Sequence, residues 1–398
     1  MEWFALIIPI LTIIALRLFC ERAMAWWEYS LPILVSVLII GGGKLVAEKI
    51  TIQSTEYHGG CLTKAVYFER WDEEVPCTHA KYRTETYSCG TSKSPSTCTR
   101  QVFDGYEHAY DVDDHPECWK ISDSNGYVFN ITENEFNRLS TLFKSRDFME
   151  MNRNYHRIDG DAYVATWNRD HETLQPVTST HRYENRVAHA RGVYSYPTID
   201  KTKTPVFDYP EIDNYTVSSI LSQKVTQGPK IVRQQTYWAG SEDIDKVNAI
   251  LGASKKIRIW ILIWEGDVSR QVGLDQEAYW KGSNKNELVI CINVRSHQDR
   301  TVNWCHVFSW SKSEYLKSSI SSYLSVDHPQ LDLKEFATFL EPQVKENWVK
   351  RNWHDFDFIS VEPPTWAMWT IWILTVLSTG GVAVYCVRNE FGDKSETV

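Results

Sequence analysis

An α+β fold held in a membrane is predicted for this 398-residue chain, with three transmembrane helices, two N-terminal and one C-terminal, flanking a β-rich domain and a small α/β sandwich domain. Three observations lead there. Residues 366–387 carry no charge, and an uncharged run of about 18 or more residues is enough for a spanning helix. A second apolar region occupies the other end, from Trp3 to Val46. Between them, Glu48 to Pro364 is polar and aromatic-rich, and its pattern changes partway from short β-prone runs to alternating helices and hydrophobic strands.

The first apolar helix is placed at residues 3–19, with Pro9 inside it and Arg17 near its end. The second is placed at 24–47, with a clean centre from Leu31 to Gly43 and charges only at Glu28 and Lys44. A short Cys20-Glu21-Arg22 turn makes the two a tight hairpin. Trp26, Trp27, Trp366 and Trp369 are the expected membrane-belt residues, because amphipathic rings settle at lipid–water boundaries. Ala23-Met24-Ala25 has the look of a signal-peptide cleavage site, but no basic segment precedes the first apolar run and a second follows at once. Cys20 and Cys386 sit where palmitoylation occurs, an unmodified thiol being the simpler reading. Placing Arg17, Arg22 and Arg388 on the cytoplasmic side puts the large middle region on the noncytoplasmic side and leaves 388–398 as a cytoplasmic tail. Lys44 and Lys49 weigh against that orientation.

The middle region is long enough for two domains of roughly 100 to 200 residues each. A net charge of −9, with no basic run longer than Lys255-Lys256, speaks against nucleic acid as a partner. The 17 Trp and 20 Tyr suit strands, membrane belts and protein interfaces alike. Cys61, Cys77, Cys89, Cys98 and Cys118 fall in one segment, while Cys291 and Cys305 lie far downstream. Clustered cysteines outside the cytoplasm form disulfides. Cys89 with Cys98, which enclose a Ser/Thr/Pro loop, are the favoured pair. Seven is odd, so at least one thiol is left free, metal-bound or shared between chains. Asn130 and Asn214 head two glycosylation sequons.

The first domain, residues 50–235, reads as mostly β. Short runs at Val66–Phe68, Tyr106–Val112, Tyr127–Phe129 and Ala162–Trp167 are separated by turns such as Gly59-Gly60, Asn125-Gly126 and Asp159-Gly160-Asp161. One helix, Glu133 to Phe148, is predicted after the capping residue Thr132. Cys77, His79, His115 and Cys118, with Cys89, Cys98 and His108 nearby, supply enough donors for a tetrahedral zinc. Their spacing matches no standard finger, so disulfides, structural zinc and inert thiols all stay open. Asp111, Asp113, Asp114 and His115 offer oxygens to calcium, against the plainer reading of a solvated acidic loop. His156, His171, His181 and His189 show no spacing that would gather them. Tyr196 to Pro210 reads as an ordered loop or linker.

In the second domain, residues 236–360, a helix at Asp243–Leu251 leads to a strand at Ile257–Trp264, a helix at Leu274–Trp280, a strand at Glu287–Val294 and a third run at Trp304–Trp310. Helices at Ser313–Leu324 and Asp332–Val349 close the unit, a compact sandwich with a mixed sheet. Cys291 and Cys305 lie on runs that can pair as a hairpin, in a register that would place them opposite each other for a cross-strand bridge. Two buried thiols are the alternative.

This order of elements, with Tyr279-Trp280-Lys281-Gly282, the polar Ser283–Asn286 turn, the Leu288-Val289-Ile290 strand and two closing helices before an apolar segment, resembles the TPM-domain proteins over about residues 240–350. The resemblance implies a small α/β domain outside a membrane, a role in assembly or repair of membrane complexes and, in some members, phosphatase activity. Asn286-Glu287 stands where the family has Asn-Gly. Asp243, Asp245, Asp267 and Asp275 have no clear match to the acidic residues that hold metal in some members.

No nucleophile elbow, zinc-protease HExxH, phosphate loop or kinase set is present. Gly41-Gly42-Gly43-Lys44 imitates a phosphate loop only in part. Three helices with no intramembrane charges beyond Glu28 and Lys44 speak against a transporter. The expectation is a membrane-anchored interaction or assembly protein that meets lipids and other membrane proteins and self-associates, with a TPM-type metal-dependent phosphohydrolase as the alternative.

Overall fold

The computed structural model describes residues 5–19, 26–89, 94, 96–143, 145–150, 160–170, 173–190, 196–211, 215, 218–226 and 236–389. Cys20, Arg22, the 23–25 segment, His156, His171, Asn214 and the tail from 390 lie outside the described residues. Helix and strand take 40% and 31%, a mixed α+β fold as predicted. Helix α1 (Ile7–Phe19) has 13 residues. At 1.5 Å per residue it is about 20 Å long, short of the roughly 30 Å hydrocarbon core, so the first of the three expected spans is not shown. Helix α2 (Trp26–Thr51) is long and apolar enough to cross. It continues past Lys44 and Lys49, because nothing helix-breaking follows the Leu31–Gly43 centre until the chain turns into the first strand.

That strand, β1 (Gln53–Phe68), organises the first unit. It is followed by β2 (Trp71–Pro76), β3 (Ala80–Ser88), β4 (Thr97–Tyr106), β5 (Tyr110–His115), β6 (Cys118–Asp123), β7 (Val128–Ile131), helix α3 (Glu133–Leu142), β8 (Ser145–Met149), β9 (Ala162–Thr166) and β10 (Pro176–Glu184). The main sheet runs β7-β6-β1-β9-β8, and β10 pairs antiparallel with the first half of β1, from Gln53 to Cys61. Thr132 and Glu135 form a complete capping box on α3, which satisfies two donors that the helix start would otherwise orphan. Leu139 and Phe143 then seat against Leu62, Ala65, Ile121 and Ala165. The helix predicted to Phe148 ends at Leu142, because Ser145–Met149 finds backbone partners along β9. The expected Tyr106–Val112 strand is likewise broken by a turn between β4 and β5.

After a short helix α4 (Arg186–His189), the second unit comprises β11 (Ile220–Lys224), α5 (Ser241–Lys255), β12 (Arg258–Glu265), α6 (Gln271–Tyr279), β13 (Glu287–Val294), β14 (Val302–Phe308), α7 (Glu314–Ser322) and α8 (Leu333–Asn347). Its sheet runs β11-β12-β13-β14, the first three parallel and the last antiparallel. The edge strand β11 precedes residue 236, so this sheet draws on residues earlier than the sequence pattern indicated. All of β12 and β13 is buried, as continuous apolar strands are when helices cover both faces. Helices α5, α7 and α8 cover the face of Ile259, Ile261, Ile290 and Cys305. Helix α6, Tyr57 and Phe207 cover that of Trp260, Leu262, Trp264 and Cys291. Strand order advances one way while α5 and α6 lie on opposite faces, so the two crossovers have opposite hands, one of them the uncommon left hand.

The register of β13 on β14 corrects the cross-strand bridge. Cys291 faces His306, and Cys305 faces Ile292. With a side-chain period of two, that one-residue offset sends the thiols to opposite faces of the sheet.

The two units interlock at a pair of glycines. A Cβ on Gly252 of α5 would lie 1.8 Å from the Gly59 carbonyl oxygen of β1, and one on Gly59 would lie 2.5 Å from the Asn248 carbonyl oxygen. Only two bare Cα atoms allow helix and strand this close. Tyr57, two residues before Gly59, stacks on Tyr209 at 5.6 Å and meets Trp260 edge-on at 6.1 Å. The Tyr196–Pro210 stretch is thereby an ordered, packed loop: the Trp264 and Trp280 indole N–H groups donate to Pro205 and Phe207 carbonyls.

Helix α9 (Thr365–Asn389) closes the described chain and is the second helix long enough to cross a membrane. It packs on α2 through Ile371, which fills the space over Gly43, with Ile40 and Ala5 completing a small apolar seam.

Candidate functional site

The roots of α2 and α9 meet on one side of the body. Arg186 of α4 donates to Glu48 near the end of α2 at 2.6 Å and to the Ile359 carbonyl just before α9 at 3.1 Å. Asn185 N donates to Ile52 O at 2.6 Å, and Lys49 pairs with Glu184. Val187, Phe356 and Ile359 form an apolar plug under these bonds. Body and helix pair are thus joined by charge-assisted hydrogen bonds and packing together. Trp366 and Trp369 are exposed at the body end of α9, and Trp26 is exposed at the far end of α2. The four aromatic-belt positions therefore fall at the two ends of the helix pair, where lipid–water boundaries would lie.

From the opposite end of β1 extends an arm. Strand β2 pairs with β5 and continues into β3, which pairs with β4. β3 and β4 pack chiefly on each other, and both are mostly exposed. An isolated two-stranded ribbon is marginal in water. Here its tip is stapled by the Cys89–Cys98 disulfide, the pair favoured from the sequence. Tyr82 and Phe103 face each other across the strands, and Tyr106 meets Phe103 edge-on. These rings are 58%, 52% and 57% exposed, an apolar display that the arm's own stability does not explain.

At the waist of the arm, where the two ribbons join, Cys77, His79, His108 and Asp111 converge with all donor atoms within 4.8 Å of one another. The Asp111 carboxyl is held below the ordinary carboxylate range, chiefly by its hydrogen bond with His108. Of the four predicted zinc donors, the fold gathers Cys77 and His79. It sends His115 to Glu73 at 3.0 Å with its ring stacked on Trp71, and sets Cys118 opposite Phe68 at the start of β6. His108 and Asp111 take the other two places. Asp114 of the acidic run pairs with Arg70.

A second convergence lies beneath the interlocked glycines. Glu56, fully buried, bonds His181 at 2.9 Å, His58 at 3.2 Å and Lys285 at 3.2 Å through one oxygen, and receives Asn286 on the other at 3.2 Å. Burial alone would raise its pKa, but His58 and Lys285 outweigh it and the net direction is down. Beside it, Glu287 takes hydrogen bonds from Ser283, Tyr209 and Asn284, yet complete burial still drives its pKa up. Asp245, on the buried side of α5, bonds Ser219 N at 2.8 Å. Its role is to pin β11 to α5, not to line a surface. These groups are consumed in joining the two units.

Cys61, Cys77, Cys291 and Cys305 form no disulfide among the described residues. Burial pushes the Cys291 thiol far up and that of Cys305 to about 12, so neither supplies a thiolate nucleophile. A groove of about 730 Å³ between β14 and α7 contains His306 with Glu277 at 2.7 Å, but its lysine, Lys317, is already held by Glu314 at 2.6 Å. No family model, curated protein or solved structure matches this chain in the comparisons made. Sequence reasoning missed Glu56 and Arg186, which tertiary contacts and not local spacing bring to these groups; it named His108 beside the zinc donors and Asp111 only as an oxygen for calcium, and the pairing of the ribbon sets both beside Cys77 and His79.

Proposed function

We propose that this protein is a membrane-anchored docking protein, with its body held at the bilayer surface and its arm offered to another membrane protein. The observation that carries this reading is the exposed Tyr82–Phe103–Tyr106 cluster on a ribbon that, among the described residues, adds none to the cores of the two units. Exposed aromatics of this kind are the residues from which binding hot spots are built. The disulfide at the tip supports a noncytoplasmic location for the body, since such bonds persist in oxidising compartments. The same reading accommodates the sequence resemblance of about residues 240–350 to the TPM-domain proteins, which implies a role in assembly of membrane complexes.

The test is photo-crosslinking in the membrane from Phe103 and Tyr106, with exposed Tyr315 on α7 as the control. A discrete adduct from the arm and none from Tyr315 is expected. Arm positions that give no adduct, or the same smear as Tyr315, defeat the reading.

A metal-dependent phosphohydrolase is the second reading. It would use the carboxyl edge of the parallel strands, where a 250 Å³ pocket is lined by Glu265, Lys224, Arg295 and His297. One carboxylate among basic side chains does not fit a divalent cation, which seeks several oxygens. The first reading is preferred on that ground.

A further inference from the structure

We infer that the waist of the arm binds one zinc ion through Cys77, His79, His108 and Asp111. Zinc takes four ligands from thiolate, imidazole and carboxylate at about 2.0 to 2.3 Å, which places neighbouring donors about 3.3 to 3.8 Å apart in a tetrahedron. Two edges of that tetrahedron are already formed. His79 Nδ1 lies 3.6 Å from Cys77 Sγ and 3.4 Å from Asp111 Oδ2. His108 Nε2 closes on the other oxygen of Asp111, and all four donors stay within 4.8 Å of one another.

Charge favours zinc as well. One thiolate, one carboxylate and two neutral imidazoles balance a dication, with the proton of Cys77 released on binding. Cys77 is 4% exposed although β3 and β4 just beyond it mostly face water, its sulfur accepting from His79 N at 3.4 Å. No apolar cluster among the described residues includes this thiol.

The fold gives the ion structural work. Cys77 and His79 flank the step from β2 to β3, and His108 and Asp111 that from β4 to β5. Between those steps the backbone is tied by the Glu107 N to His79 O bond at 3.0 Å. Scaffolds without a core are held by disulfides or metals. The arm carries the first at its tip and the donors for the second at its waist.

The other gathering of donors, Glu56 with His58 and His181, is not proposed as a metal site. Lys285 already brings a cation to within 3.2 Å of the same Glu56 oxygen.

The test is elemental analysis of the full chain, purified in detergent without a histidine tag or chelator, together with the spectrum of the cobalt-exchanged protein. About one zinc per chain is expected, with a thiolate-to-cobalt charge-transfer band. Cys77→Ser should abolish the band and lower zinc content about tenfold. Asp111→Asn, which keeps the shape of the side chain, should weaken zinc retention against a competing chelator and leave the band in place. His115→Gln and His181→Gln should leave both readouts unchanged. Wild-type protein with neither zinc nor the band overturns the assignment. So does zinc content that Cys77→Ser and Asp111→Asn leave alone, or that falls only with His115→Gln or His181→Gln.

Discussion

Gly252→Ala should be among the most damaging small substitutions in the molecule, although in an exposed helix the same change is favourable by about 1 kcal/mol. The added methyl would sit 1.8 Å from Gly59 O and 2.1 Å from Gly59 C, backbone atoms with no rotamer to yield. Helix α5 must back away from β1 by more than an ångström. That shift strains the bonds made by Asn248, which donates to Ile259 O at 3.0 Å and Ser219 Oγ at 2.8 Å and accepts from Ile259 N at 2.7 Å. At about 1 kcal/mol per bond, with about 1 to 3 kcal/mol for overpacking, less the helix-propensity gain of about 1 kcal/mol, the net loss is about 3 to 5 kcal/mol. For a body of this size that is a fall of about 6 to 20 °C in Tm. Tryptophan fluorescence during thermal unfolding reports it, since Trp260 lies at this junction. Gly41→Ala in α2, where nothing lies within 4 Å of the new methyl, is the control and should be neutral or stabilising. A Gly252→Ala protein that melts with or above wild type refutes the interlock.

Three further outcomes follow from the same contacts. Glu56 has a folded pKa below its unfolded one, so its contribution to stability is present above the ordinary carboxylate pKa and lost as pH falls through the folded value. Glu56→Gln should therefore be less stable than wild type near neutrality and converge with it in acid, as unfolding midpoints from about pH 7 to about pH 3 will show; a constant gap would contradict this. Arg186→Ala leaves half-buried Glu48 without its 2.6 Å partner and frees Ile359 O, a loss of about 1 to 3 kcal/mol, and hydrogen exchange should rise at residues 356–364 ahead of the rest; unchanged protection there would mean the clamp is idle. Replacing Cys89 and Cys98 together by serine should cost the arm about 2 to 3 kcal/mol by loop entropy and raise exchange in β3 and β4 alone; a lowered Tm of the body would mean the arm is part of its core.

The second unit was largely legible in the sequence because its signal is local. Glu287–Val294 is a strand with the bounds expected, and Asp332 caps α8 by accepting from Lys334 N and Glu335 N. Apolar runs of fixed period carry their own structure wherever they occur. The first unit was not, because β1, β10 and the arm are specified by pairing. Gln53–Glu56 reads as polar coil until Glu184–His181 lies beside it, and the cluster at Glu56 exists only through that register. The zinc donors illustrate the same limit. Cys77, His79 and His108 could be named as donors by residue type, but only the ribbon brings His108 and Asp111 to them from some 30 positions away, while His115, four residues beyond Asp111, is carried along β5 toward Glu73. The first of the three expected spans is not shown for a different reason: composition records that Trp3–Phe19 is apolar, not how long a helix forms within it.

The geometry assigns distinct mechanical roles to the two ends of β1. At its start, Asn185, Arg186 and the Phe356–Ile359 plug hold the roots of α2 and α9 within one cluster, so the body has no hinge to swing on between its last strand and the helix pair. At its other end, the chain leaves through Glu69 and Arg70 into a ribbon whose strands β3 and β4 pack chiefly on each other. With six residues in β2, nine in β3 and three between them, at about 3.3 Å each, that ribbon reaches at most about 60 Å. Rigidity at the root is useful to a docking protein only if the direction of the arm is also fixed, and at 77–79, where β2 gives way to β3, the strand ladder is interrupted and the Glu107 N to His79 O bond at 3.0 Å ties the two sides. The four donors at the waist are placed at that interruption. Stripping the metal should therefore leave the melting of the body unchanged and abolish the arm's discrete crosslinks from Phe103; crosslinks that survive chelation would mean that the ribbon is stiff without the ion.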